Sequence, residues 1–177
     1  WRKQIFWITR FDLRSFFKNL FNPDLYQQHL RDSKIAAQKA SQLLGHPVFH
    51  MNYDYEQDMV ISLEEFFTSH SDEENKSKFE EYIALTYKTW QYGFADIVFN
   101  FTLNNGIDKK GAFVLCDFNE ITFDKADILR LLKEKRWMRQ ASFLFMNPGS
   151  FKDWIRNRMI ESMTVEALDA HWKDYEN

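Results

Sequence analysis

The chain has 177 residues, 45% of them hydrophobic and 18% aromatic, and carries a formal charge of −3. That length suits one domain with an ordinary core, or one domain with a small lobe attached. The weak negative charge offers no long-range attraction to nucleic acid or to an anionic membrane, so neither is expected as a partner.

No apolar run approaches the ~20 residues that a membrane span needs. The start, Trp1-Arg2-Lys3-Gln4, leads into only a short apolar run, so no secretory leader is expected. The single cysteine, Cys116, excludes a disulfide framework and a Cys-based zinc site. These features favour a reducing, cytoplasmic setting. On that footing the two sequons, Asn75-Lys76-Ser77 and Asn100-Phe101-Thr102, read as chance.

Residues 5–11 are β-branched and aromatic and read as a strand. Asn22 suits an N-cap and Pro23 a first helical position, so a helix is expected over 23–44, ended by Gly45 and Pro47. Residues 48–55 and 59–67 read as two strands around a polar turn. The acidic stretch 68–78 contains no aromatic residue and reads as an exposed loop between lobes. A long aromatic helix follows over 79–92, with Gly93 as its break.

Asn104-Asn105-Gly106 and Asp108-Lys109-Lys110-Gly111 have turn chemistry, and the apolar runs beside them suggest a hairpin over 104–118. Asp124 can cap a helix reaching Trp137, with Asp127 in the first turn and basic residues late, as the helix dipole favours. Asn147-Pro148-Gly149 reads as a turn. Ser150 and Thr164 can cap the last two helices. The expected class is α+β: a small strand-rich lobe over 1–67 with one helix, then a larger, mainly helical lobe over 68–177 that contains the hairpin.

The chemistry is concentrated at the hairpin. Phe113-Val114-Leu115-Cys116 is apolar throughout and ends abruptly in Asp117. A carboxylate at the end of a buried strand is costly unless it is solvated, hydrogen-bonded or bound to a cation. Asn104 lies thirteen residues before Asp117. If the hairpin closes, an amide oxygen and a carboxylate emerge at one end, and such hard oxygens suit Mg²⁺.

In that spacing the chain resembles the protein-kinase-like fold, in which a catalytic-loop Asn is followed after a short hairpin by Asp-Phe-Gly. Here Asn104 stands at the Asn position and Asp117-Phe118-Asn119 at Asp-Phe-Gly. The resemblance implies that Asn104 and Asp117 hold Mg²⁺ bridging the phosphates of ATP. It also places residues 5–11 where the family has a phosphate-binding Lys, and there this chain offers only Arg10. Other departures are plain. The family's catalytic Asp would fall at Phe99, and the nearest acidic residue is Asp96, three positions earlier. No His-Arg-Asp and no glycine-rich phosphate loop occur, and the helix over 23–44 has no Glu.

The resemblance therefore implies either a degenerate, nucleotide-binding kinase-like domain or a phosphotransferase with Asp96 as its base. The alternative is a non-catalytic protein-interaction module that uses the basic residues Arg130, Lys133, Lys135, Arg136 and Arg139. A metal-assisted nuclease ranks last, because no second clustered acid with a nearby Lys accompanies Asp117. His46 and His50 are separated by Pro47 and read as unrelated to metal, and Cys116 reads as a core thiol.

Overall fold

The computed structural model describes Asp24 and residues 59–102, 105–108, 110–111, 113–115 and 121–174. Asp24 is helical and exposed. The expected strands over 5–11 and 48–55, and the rest of the helix expected over 23–44, lie outside the described residues.

Two serines set where the first helices begin. Strand β1, Met59–Ser62, gives way at once to helix α1, Leu63–Ser69. The Ser62 hydroxyl accepts from the Glu65 amide at 3.1 Å, and Glu64 and Glu65 fill the first turn. The strand expected over 59–67 is thus corrected to a four-residue strand and a helix. The apolar residues Leu63 and Phe66 that suggested a strand are three apart and bury one helical face.

The second correction is larger. Helix α2 spans Asp72–Gln91, so most of the stretch 68–78 is helix rather than loop. Ser71 and Glu74 form a capping box: the Ser71 hydroxyl accepts from the Glu74 amide, and the Glu74 carboxylate accepts from the Ser71 amide at 3.0 Å. Acidic residues Asp72, Glu73 and Glu74 complement the positive end of the helix dipole. Asn75 is buried, and its amide donates to the carbonyls of Phe67 and His70. An Asn so enclosed is closed to glycosylation, which accords with reading its sequon as chance. Gly93, at φ +72°, ends the helix where expected.

The strands form two small antiparallel sheets. In the first, β1 pairs with β3 (Asn105–Asp108), which pairs with β4 (Phe113–Leu115). The β3/β4 hairpin turns where expected, with the Gly111 amide donating to the Asp108 carbonyl and Gly111 at φ +78°. Its register places Asn105 opposite Leu115 and Ile107 opposite Phe113. Asn105 and Gly106 are therefore buried strand residues, not the turn their types suggested. The second sheet pairs β2 (Ala95–Asp96) with β5 (Ile121–Thr122).

Asp124 caps α3, Lys125–Lys133, as expected, by accepting from the Ala126 amide. The helix stops short of Trp137, because Lys135 takes a left-handed conformation at φ 48° before a 3₁₀ turn over Arg136–Arg139. Short helix α4, Ala141–Leu144, then leads to α5, Ser150–Ser162, and α6, Val165–His171. Thr164 caps α6 through the Ala167 amide, as expected. Ser150 does not cap α5; its hydroxyl donates to Asp72 instead.

The aromatic face of α2 lies at the centre of the core. Phe79 meets Phe101 and Trp154 edge-on, at 5.2 and 5.9 Å between ring centres. Tyr82 meets Phe101 and Phe113 at 5.7 and 6.3 Å. Trp137 and Trp172 are buried in this core, and Trp154 is half-buried. Among the described residues, no helix is long and apolar enough to cross a membrane.

Two measurements test the helix start. Ser71→Ala should lower stability by about 1 kcal/mol in denaturant unfolding, the usual cost of a lost N-cap. Hydrogen bonds from the Ser71 hydroxyl and then its amide hold the Glu74 carboxyl below the usual range. A carboxyl depressed by folding stabilises above its unfolded pKa and loses that contribution as pH falls through the folded value. Thermal melts of the parent and Glu74→Gln should therefore differ near neutrality and converge as the pH becomes acidic. Parallel curves would show that the box does not depend on the charge.

Candidate functional site

The candidate site is organised by the loop that leaves β2 and enters β3. Asp96 closes the start of this loop on itself: its Oδ1 accepts from the amides of Val98 at 2.7 Å and Phe99 at 3.3 Å. This Asx turn is favoured by a short carboxylate two residues before a free amide. Phe99 is buried and sits at φ 54°. A bulky residue in the left-handed region is strained, and the surrounding packing must hold it there.

The next part of the loop is held by a residue forty positions away. The Ser142 hydroxyl accepts from the Thr102 amide at 2.9 Å and from the Thr102 hydroxyl at 2.7 Å. It donates in turn to the Asn100 side-chain oxygen, which also accepts from the Ser142 amide at 3.1 Å. One proton and two lone pairs are thus all used. Asn105 then donates to the Phe101 carbonyl at 2.8 Å, while its own side-chain oxygen is buried and has no hydrogen-bond partner among the described residues.

A cavity of ≈ 20 Å³ lies beside this loop, lined by Tyr82, Thr86, Asp96, Phe99 and Asn105 among others. That is room for about one water molecule, so the cavity is no nucleotide pocket. Burial, and then the negative charge of Asp96, raise the Tyr82 hydroxyl pKa far above its ordinary value. Tyr82 therefore remains a neutral phenol at any working pH.

Of the catalytic, nucleotide and metal residues expected from sequence, Asp96 alone is among the described residues. Arg10, Asn104 and Asp117 lie outside them, as do Cys116, His46 and His50. Among the described residues, no group of three or more His, Cys, Asp or Glu side chains could hold a metal ion. Asp96 is half-buried and spends one oxygen shaping its own loop. Sequence reasoning missed Asn100, Thr102 and Ser142. Asn100 and Thr102 alternate with Phe99 and Phe101, a pattern that on an extended chain turns polar residues away from the apolar face, so it gave no sign of their inward bonds. Ser142 carries no local signal, because its partners are distant in sequence.

The loop gives a direct test of its own support. Ser142→Ala leaves the buried Thr102 amide without an acceptor, which costs about 1–3 kcal/mol. Denaturant unfolding should show a loss in that range. A loss below about 0.5 kcal/mol, typical of a surface change, would mean the network does not hold the loop.

Comparison with known proteins gives no matching family model, no matching curated protein and no matching solved structure.

Proposed function

We propose that this chain is a protein-kinase-like domain that binds a nucleotide with Mg²⁺ through Asn104 and Asp117 and has lost phosphoryl transfer. The observation that supports the reading is the closed β3/β4 hairpin, whose open end is the Asn105–Leu115 pair. Asn104 is bonded to Asn105, and Asp117 follows Leu115 by two residues. On this reading both residues belong to that end of the hairpin. The β2/β5 pair adds a second constraint, because it joins the chain before the loop to the chain after Asp117. An amide oxygen and a carboxylate are hard donors of the kind Mg²⁺ takes together with phosphate oxygens and water.

The loss of transfer rests on the loop. The position of the family's base is Phe99, a buried hydrocarbon that accepts no proton. Asp96 is the nearest carboxylate and bonds to two amides of its own loop. A general base must reach the proton it removes, and this one is committed to the turn.

Thermal denaturation with and without ATP and Mg²⁺ tests the proposal. A ligand at ~100 times its Kd adds about 2.7 kcal/mol of stability, so a clear rise in Tm is expected. Asp117→Ala should abolish the rise, and ADP should not accumulate above background with either protein. No rise with the parent protein, or an equal rise with Asp117→Ala, would overturn the assignment. Sustained ADP release by the parent that Asp96→Asn stops would overturn the loss of transfer.

A further inference from the structure

We draw no further inference here: the strongest candidate, the exposed apolar surface patch of Leu144 and Phe145 at the C-terminal end of α4, carries nothing because nothing in the structure shows what covers it.

Discussion

The packing of one aromatic helix face against one loop sets the position of nearly everything else. Phe79 and Tyr82 on α2 both meet Phe101 in the loop between β2 and β3. Each such ring buries on the order of 150–250 Å², so the pair anchors the loop strongly. The same helix fixes the hairpin, because Lys78 donates to the Gly111 carbonyl at its turn. It fixes the C-terminal helices as well. Arg158 of α5 donates two bonds to Glu80, and the Tyr87 hydroxyl donates to the Ser162 carbonyl. Tyr87 also stacks on His171, and the Trp90 carbonyl accepts from the Lys173 amide. Loop, hairpin and late helices are therefore all positioned relative to α2.

The loop adds a second layer of constraint, made of polar groups in a dry setting. A buried amide or hydroxyl without a partner costs more than a typical bond returns. Ser142 removes that cost for the Thr102 amide and hydroxyl and for the Asn100 oxygen at once. With those groups held, the strained Phe99 backbone has few alternatives. Strain at a loop of this kind is usually retained where geometry matters more than stability. Here the geometry delivers the chain to Asn105 at the hairpin's open end. It supplies position to that end, and residue 99 itself is a buried hydrocarbon rather than a carboxylate.

Where the chemistry is local, the sequence is legible. The aromatic spacing of α2, the Gly93 break, the Asp124 and Thr164 caps and the hairpin turn at Asp108 to Gly111 all depend on neighbours within a few residues. The start of α2 was equally local but was obscured by composition. A run of acids without aromatics resembles a solvated loop, yet Ser71-Asp72-Glu73-Glu74 is a capping box followed by charges suited to the dipole. Asn105 and Gly106 misled in the opposite direction: their types favour turns, while cross-strand pairing with Leu115 and Val114 places them in a strand. The Ser142 network is nonlocal and was not legible at all. The expected metal site rested on a spacing, Asn104 to Asp117, whose two ends lie outside the described residues; the hairpin between them is the part that is described.

Helix α4 joins the loop to the exposed side chains of Leu144 and Phe145, and its size decides how the two relate. Ser142 points inward to Asn100 and Thr102, while Leu144 and Phe145 at its end point outward. A linkage between two sites requires an element with two arrangements that both sites bias. This helix has its inward hydroxyl fully bonded, Phe143 buried against Trp137, and its last carbonyls held by Lys152. One arrangement satisfies all three sets of contacts, and rotating the helix would break each of them. It is therefore a mount rather than a lever: it presents Phe145 and supports the loop without converting contact at one into movement of the other.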